Sequence, residues 1–249
     1  MSNEAQYNKF LAAFKLEDVK KFSFLKKLEA SELEALRIGM QESLDAEISQ
    51  QFERIAKVAK FMPNFMNAKV AESVLGPAIT AHISYYMDIK DAISIMKYLS
   101  VPFMAKTAEH MSPEKSRHII NALPMDLMKK NVVQLIKTNQ HAVVGGFVEV
   151  TPEDRIIEIG KFIENNEDLH KITSYVANKV NIIPVMDNFS DSRLVKLIES
   201  GFETGYGNDL LEIFSLFSDK QQKRLVNLLH KLPSSIIKQI EDTLKGLSI

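Results

Sequence analysis

The sequence contains no cysteine and no tryptophan among its 249 residues. Without cysteine the chain can form no disulfide, no thiolate metal site and no cysteine nucleophile, and this composition suits a reducing compartment. Glycine and proline are scarce, with 9 and 8 residues. The net charge is only −1 at pH 7, so bulk electrostatics favours neither nucleic acid nor an anionic membrane as a partner.

Long apolar runs are also missing, since no stretch approaches the ~20 residues of a membrane span. We therefore expect no integral membrane segment. Residues 1–6 contain neither a basic region nor an apolar one, so we expect no secretion signal and a cytoplasmic location. Apolar residues make up 45% of the chain and charged residues 25%, which is enough apolar material for an ample core.

One segment of the sequence occurs twice. Residues 65–77 are matched further along the chain by residues 103–113, once a residue is dropped on either side. The offset of about 38 residues is typical of stacked helical repeats, in which each unit buries its apolar face only against its neighbours. Small residues that recur in both copies predict close approach of neighbouring helices, and they are Ala68, Ala71, Ala105 and Ala108.

Recurring Ser or Thr residues mark predicted helix starts, several of them followed by Pro or by an acidic residue. A hydroxyl at the N-cap accepts a hydrogen bond from an otherwise unpaired backbone N–H, and Pro at the first helical position has no N–H to lose. The predicted N-caps are Ser112, Thr151, Ser190 and Ser218. The first two intervals between them are equal and match the repeat, whereas the last is shorter and predicts a shortened C-terminal unit.

The Leu123-Pro124 and Ser112-Pro113-Glu114 steps resemble those of a known helical array. Similar steps occur in the N-terminal domain of MgtE-type magnesium transporters and in flagellar motor switch proteins. The resemblance is best over residues 97–137. Together with the repeat, it implies an all-α fold. The implied fold is a right-handed α-α superhelix of short helices, akin to armadillo and HEAT arrays, with repeats of about 38 residues. We carry over none of that family's metal sites.

The N-terminal part of the chain is organised differently. A short amphipathic helix near residues 6–14 precedes a capping-box pattern at Ser31 and Glu34. Apolar residues then follow at helical steps, namely Leu36, Met40, Leu44, Ile48, Phe52, Ile55, Ala59 and Met62. This spacing predicts one helix of roughly 30 residues, about 45 Å long. We interpret residues 1–60 as an N-terminal cap or dimer arm and residues 61–249 as the repeat domain.

That long helix has two possible roles. It could cover the apolar face of the first repeat, because the end repeats of an array need caps to stay soluble. It could instead be an antiparallel dimerisation helix, which would make the protein a homodimer.

Two residue pairs have the spacing of metal ligands on one helix face. These are Glu167 with His170, and Glu114 with His118, and His82 occupies a similar place in the preceding repeat. Acidic residues at helix starts and half-buried histidines explain both pairs without a metal. We therefore predict no metal site, no cofactor and no catalytic residue.

Two glycine-containing stretches also allow more than one interpretation. Residues 201–207 carry three glycines, but no Lys-Ser or Lys-Thr follows, so we interpret them as a helix end and loop, not as a phosphate-binding loop. The pair Gly145-Gly146 could lie in a short strand, and in a helical array it indicates close helix packing or a break.

Methionine is concentrated between residues 62 and 128, where aromatic residues accompany it. Such a cluster either fills the core at repeat interfaces or lines a groove that accepts varied apolar shapes. The candidate groove residues are Phe65, Met66, Tyr85, Tyr86, Met87, Phe103 and Met104.

We therefore expect a non-catalytic helical-repeat protein that acts as a scaffold for protein–protein interactions and binds a protein partner. The alternative is a small-ligand or metal-binding protein, which includes the possibility of an enzyme. It would use an apolar cavity or His82, Glu114 and His118.

Overall fold

The computed structural model describes residues 3–14, 16 and 20–246, and the side chains of all of these except residues 44–48 and 244–246. Helices make up the secondary structure of this part of the chain, and it contains no strand. The predicted all-α class is therefore confirmed. Among the helices described, none combines the length and the hydropathy that crossing a membrane requires.

The chain divides into two compact units, Met1–Gln134 and Leu135–Ile249. The boundary falls inside the helix α8, Met125–Lys137. The division that we predicted at residue 60 stays a prediction, and the long N-terminal helix belongs to the first unit.

The first unit consists of helices joined by short turns. In chain order they are α1 Asn3–Ala13, a 3-10 turn Ser23–Lys27, α2 Ala30–Ala59, α3 Asn64–Val70, a π-helical turn Ala71–Leu75, α4 Gly76–Ser84, α5 Ile89–Met96, α6 Val101–Ala108 and α7 Pro113–Ala122. The second unit follows α8 with α9 His141–Val148, α10 Glu153–Phe162, α11 Asn166–Ser174, a 3-10 turn Lys179–Ile182, α12 Ile183–Asp187, α13 Asp191–Glu203, α14 Gly207–Ser215, α15 Asp219–Leu229 and α16 Ser234–Gly246.

The helix α2 has the predicted length of 30 residues. Its N-cap is Glu29, two residues before Ser31, where the predicted capping box begins. Glu32 completes the observed box. The backbone N–H of Glu29 donates to the Glu32 carboxylate at 2.8 Å. A carboxylate at each of the two box positions also suits the positive end of the helix dipole.

Both ends of α2 are packed. At the N-terminal end, an apolar core joins it to α1 and to the 3-10 turn, and the core consists of Tyr7, Phe10, Leu11, Leu25 and Leu33. Near the C-terminal end, the ring of Phe52 stacks on His82 of α4 with 5.3 Å between ring centroids. There the side-chain amide of Asn67 also donates to the carbonyl of Ala59 at 2.8 Å.

In both units a helix packs against the helix two places further along the chain. In the first unit the pairs are α2 with α4, α3 with α5, α4 with α6 and α5 with α7. In the second they are α9 with α11, α10 with α12, α11 with α13, α13 with α15 and α14 with α16. The four recurring alanines, Ala68, Ala71, Ala105 and Ala108, are all buried within this packing.

Six of the long-range hydrogen bonds share nearly the same separation along the chain. Residues that are 27 or 28 positions apart are joined in both units, namely Glu72–Ser100, Tyr85–Ser112, His141–Asp168, Glu149–Ala177, Lys161–Asn188 and His170–Leu197. The separation is the number of residues between two positions that meet where one helix packs on another. Its recurrence in both units reflects a regular arrangement. The repeat length inferred from the sequence is a different quantity, and it stays a prediction.

Three of the four predicted N-caps are confirmed. The hydroxyls of Ser112 and Ser190 accept from backbone N–H groups of α7 and α13, and Ser218 forms a capping box with Gln221. The prediction for Thr151 is wrong, because Pro152 is the N-cap of α10. The Thr151 hydroxyl donates instead to the carbonyl of Phe147 at 2.7 Å, so it serves the end of the preceding helix α9.

Both glycine interpretations fit the structure. Residues 201–207 include the end of α13, a short loop and the first residue of α14. In the loop Gly205 has φ +87°, and the N–H of Tyr206 donates to the carbonyl of Gly201 at 2.7 Å. This bond pattern is a Schellman helix end, which requires a left-handed residue. Gly145 lies inside α9, and a Cβ there would be 2.7 Å from the carbonyl oxygen of Ile172, so it permits close packing of α9 on α11.

Several helix ends in the second unit are covered by cationic side chains from later in the chain. The guanidinium of Arg193 donates to the carbonyls of Gly160, Lys161 and Ile163 at the end of α10. Arg224 donates to the carbonyls at the end of α12, those of Asp187 and Phe189. Because the last carbonyls of a helix lack partners within it, each arginine both satisfies them and fixes one helix against another.

Replacing Gly145 with Ala should destabilise the second unit. The added methyl group would meet backbone atoms of α11, so the helices must separate, and we expect a loss of about 1–3 kcal/mol in the free energy of unfolding. Gly39→Ala is the matched control, because Gly39 lies within α2 and a methyl group there would have no neighbour within 4 Å. It should gain up to about 1 kcal/mol. Denaturant unfolding measures both, and equal effects would contradict the packing role.

Candidate functional site

The predicted groove residues fall into three groups by exposure. Phe65, Met66 and Tyr86 are exposed, and Phe65 has 58% of its surface open to solvent. Tyr85, Met87 and Phe103 are half-buried. Met104 is only 8% exposed and belongs to the core. The predicted set is therefore not one continuous surface, because it contains surface and core residues together.

Tyr85 has a structural contact that ties it to the fold. Its hydroxyl oxygen accepts a hydrogen bond from the backbone N–H of Ser112 at 2.7 Å, and its ring meets the edge of His82. Because Ser112 is the N-cap of α7, this bond links the end of α4 to the start of α7.

Large exposed apolar side chains are concentrated in one part of the first unit. Between residues 36 and 98 they are Leu36, Ile38, Met40, Ile55, Val58, Phe61, Phe65, Met66, Val74, Ile79, Tyr86 and Tyr98. In the described part of the second unit the exposed set is shorter, and comprises Phe162, Tyr175, Val180, Leu216 and Val226. Isolated apolar residues are ordinary on protein surfaces, whereas a contiguous apolar patch is typical of an interaction surface.

The density is greatest where α2 ends and α3 begins. Val58, Phe61, Phe65 and Met66 are all exposed within a short segment, and Phe61 is 89% exposed. The exposed positively charged residues near this segment in the sequence are Arg54, Lys57, Lys60 and Lys69. The junction therefore combines apolar side chains with a local excess of positive charge, although the whole chain is nearly neutral.

The candidate metal ligands of the first unit do not converge. His82 stacks on one aromatic ring and meets the edge of another, and His118 is an exposed residue of α7. Glu114 accepts a hydrogen bond from the Ser112 hydroxyl at 2.8 Å and lies 3.8 Å from the guanidinium of the buried Arg37. Burial raises the pKa of Glu114, but hydrogen bonds from its own backbone and from Ser112, together with the Arg37 charge, outweigh it and lower the pKa overall.

Glu167 and His170 also contact different partners. Glu167 is exposed and pairs with Lys171 at 2.7 Å, as an acidic residue in the first turn of α11. His170 is buried, and its Nε2 donates to the carbonyl of Leu197 at 3.0 Å while its ring stacks on Tyr206. Over the described residues, no three His, Asp or Glu side chains are close enough together to hold a metal ion.

Two buried polar contacts of the second unit were not anticipated from the sequence. His141 contacts Asp168 at 2.8 Å, and the ammonium of Lys179 donates to the carbonyl of Thr173 near the end of α11. Burial lowers the pKa of Lys179. No sequence motif predicts either contact, because each joins residues that become neighbours only when the helices pack.

An apolar cavity lies inside the second unit. Its volume is about 50 Å³, and its lining includes Val144, Ile156, Ile163, Val185, Met186 and Phe189. Pockets that bind small molecules usually enclose ~300–1,000 Å³, so this space holds no more than a few atoms. We interpret it as a packing defect of the core.

Acid should destabilise the protein through His170. Burial lowers the pKa of this histidine, so the unfolded chain binds a proton more readily than the folded one. We expect the free energy of unfolding to fall as the pH decreases below about 6.5, the ordinary histidine pKa, towards the lowered value. Unfolding titrations between about pH 5.5 and 7.5 measure this slope.

His170→Gln should reduce the slope. His118→Gln makes the same chemical change at an exposed position of α7 and serves as the control. If the two variants have the same pH slope as the original chain, His170 is not the group that titrates.

Comparisons of the chain with protein-family models, with curated proteins and with solved structures gave no match. The resemblance to the MgtE N-terminal domain and to motor switch proteins therefore stays a prediction.

Proposed function

We propose that this chain is a non-catalytic helical-repeat protein that acts as a scaffold for protein–protein interactions. The observation that carries the proposal is the concentration of exposed large apolar side chains between residues 36 and 98. Removing such side chains from water is the main driving force for association, and a surface that remains exposed has this free energy available for a partner.

The packing of the helices supports the repeat part of the proposal. Many helices pack against the next helix but one, and several hydrogen bonds in both units join residues 27 or 28 positions apart. Both features suit a stacked array. We include in the proposal a right-handed superhelix of the kind found in MgtE-type N-terminal domains, and a cytoplasmic location.

The partner that fits best is a protein segment with an apolar face and acidic flanks. Phe65, Met66 and Tyr86 are the exposed members of the predicted groove, and two aromatic rings with a flexible thioether can accommodate varied apolar side chains. Lys60 and Lys69 are exposed near Phe65 in the sequence, so they would attract carboxylates at the rim. An amphipathic helix with acidic residues beside its apolar stripe has this chemistry.

The alternative, a small-ligand or metal-binding protein, has weaker support. A pocket of about 510 Å³ lies on α15, but it is an open surface depression lined by Asp219, Gln222, Lys223, Val226 and Asn227. The cavity of about 50 Å³ is too small for a ligand of ordinary size, and His82, Glu114 and His118 each have separate surroundings.

Cross-linking can identify the partner. A photoreactive amino acid placed at Phe65 or Tyr86 in the producing cells should attach one specific protein, and the same amino acid at Leu216, an exposed position of the second unit, should not. The protein so identified is then purified, and its affinity for the scaffold is measured by calorimetry.

Phe65→Ser should weaken that affinity about tenfold or more, since buried aromatic anchors dominate interface energies. Phe24→Ser is the matched control, because Phe24 is 59% exposed, close to the 58% of Phe65, and lies outside residues 36–98. Equal affinities for the two variants, or no specific cross-link, would contradict the proposal.

Met104→Ser separates stability from binding. The side chain is buried in α6, so we expect a loss of about 2–5 kcal/mol in the free energy of unfolding. The candidate groove residue Met104 lies in the core, so its substitution reports on stability. Thermal unfolding of Met104→Ser and Phe65→Ser, side by side, measures the difference, because the exposed position should show no such loss.

A further inference from the structure

A short turn between α1 and α2 carries four lysines around one exposed aromatic ring. We call residues 20–28 the basic turn, and they include the 3-10 turn Ser23–Lys27. The four lysines are Lys20, Lys21, Lys26 and Lys27, and these nine residues contain no acidic side chain. Phe24 lies at the centre of the basic turn and is 59% exposed. Cationic and aromatic side chains are therefore combined on one small surface.

The burial of the basic turn repeats every three residues. Leu25 is buried, Phe22 and Leu28 are half-buried, and all three pack in the apolar core that joins α1 to α2. Hydrogen bonds from backbone N–H groups to carbonyls three residues earlier extend from residue 20 to residue 28. Side chains three positions apart are eclipsed in such a backbone, so these three apolar residues form the inward side. All the other positions of the basic turn are exposed.

The same period of three arranges the exposed side chains. It places Phe24 between Lys21 and Lys27 on one outward side of the basic turn. Lys20 and Lys26 belong to the other outward side. The ring is therefore bordered by ammonium groups, and none of its exposed neighbours within the basic turn is apolar.

The basic turn is fixed to the first unit by more than its apolar side. The side-chain amide of Asn3 donates to the carbonyl of Lys26 at 3.4 Å. The ammonium of Lys26 lies 4.9 Å from the ring centroid of the buried Tyr7, a cation–π contact at the edge of the core. Because the backbone is already held, binding through the outward sides requires little additional ordering of the chain.

Acidic residues adjoin the basic turn in the sequence. Glu29 and Glu32 follow it, and both carboxylates accept backbone N–H groups in the capping box at the start of α2. Glu4 is exposed in the first turn of α1. Glu17 and Asp18 precede the basic turn, and their side chains lie outside those described. Because two of these carboxylates face a helix start, the outward sides of the basic turn keep a local positive charge.

Charge and shape together select an anionic phospholipid surface as the partner. Clusters of four or more lysines are attracted to anionic lipids, and an exposed phenyl ring can enter the boundary between headgroups and acyl chains. A protein partner fits less well, because lysine is depleted in protein–protein interfaces. Such interfaces also need several apolar anchors that pack together, whereas the basic turn exposes one ring.

We propose that the basic turn binds an anionic phospholipid surface, with Phe24 inserted at the level of the headgroups and the four lysines against the lipid anions. One ring and four lysines give weak and reversible binding, because stable attachment requires a larger apolar anchor. The proposal goes beyond the scaffold function, since it uses none of the residues Phe65, Met66 and Tyr86.

Sedimentation with lipid vesicles tests the proposal on the full chain. We expect binding to phosphatidylcholine vesicles that contain about 30% phosphatidylserine, and none to phosphatidylcholine alone. Raising the salt from about 0.05 M to about 0.5 M should weaken the binding about tenfold or more, since salt screens exposed charges. A chain that does not sediment with the anionic vesicles, or that sediments equally with the neutral ones, overturns the proposal.

Matched variants test the lysines. Lys20→Gln with Lys27→Gln should weaken vesicle binding about tenfold or more, because it removes two charges from the exposed sides. Lys220→Gln with Lys223→Gln changes the net charge by the same amount at exposed positions of α15 and should have no such effect. Circular dichroism should be unchanged for both. Equal weakening by the two double variants would contradict a role for the basic turn.

The ring is tested by exchanging it with serine. Phe24→Ser should weaken vesicle binding and leave the affinity for the cross-linked protein partner intact. Phe65→Ser, at a position of nearly equal exposure, should have the opposite effects. The two proposals can therefore fail independently, and unaltered vesicle binding by Phe24→Ser overturns the insertion of the ring.

Insertion can also be observed directly, because the chain contains no tryptophan. The variant Phe24→Trp should show a blue-shifted emission on addition of the anionic vesicles and quenching by brominated acyl chains, since an indole ring then leaves water. Phe65→Trp should show neither change. An unshifted, unquenched emission of Phe24→Trp on vesicles that sediment the protein would overturn the proposed insertion.

Soluble poly-glutamate tests an acidic protein as the alternative partner. It offers carboxylates without an apolar phase for Phe24, so we expect it to compete poorly when its carboxylates match the anionic lipid in concentration. Equal affinity for poly-glutamate and for the vesicles would make an acidic polypeptide the partner and overturn the proposal.

Discussion

The structure depends on one constraint, which is that a short helix of about ten residues cannot bury its apolar face alone. Isolated helices of this length are marginal in water, so each must be covered by others. Here the cover comes from the helix two places further along the chain in both units. That arrangement requires short distances between helix axes. Small residues such as Ala71, Ala108 and Gly145 lie where the helices approach.

Many short helices also create many helix ends, and each end has backbone groups without a partner in its own helix. The chain satisfies them with side chains, some at the helix end itself and some from later in the same unit. Ser112 and Ser190 cap helix starts, whereas Arg193 and Arg224 cover the carbonyls at the ends of earlier helices. The polar contacts therefore serve the same purpose as the apolar ones, because both fix one helix against another.

The helix α2 is the exception, and it connects the fold to the proposed functions. It is far longer than its neighbours, and its buried residues among those described, Leu33, Arg37 and Ala56, lie near its ends. The exposed segment that follows it, with Phe61 and Phe65, extends the apolar surface towards α3.

Local features were predictable from the sequence. Helical class, the length of α2, the N-caps Ser112 and Ser190 and the tight contact at Gly145 each depend on spacing or on residues close together in the chain. The tertiary structure alone decided which residues are buried. Met66 and Met104 occupy the same place in the repeated segment, yet Met66 is exposed and Met104 is core, because burial depends on helices that are distant in sequence. The same reason hid the contact between His141 and Asp168, which exists only because α9 packs on α11.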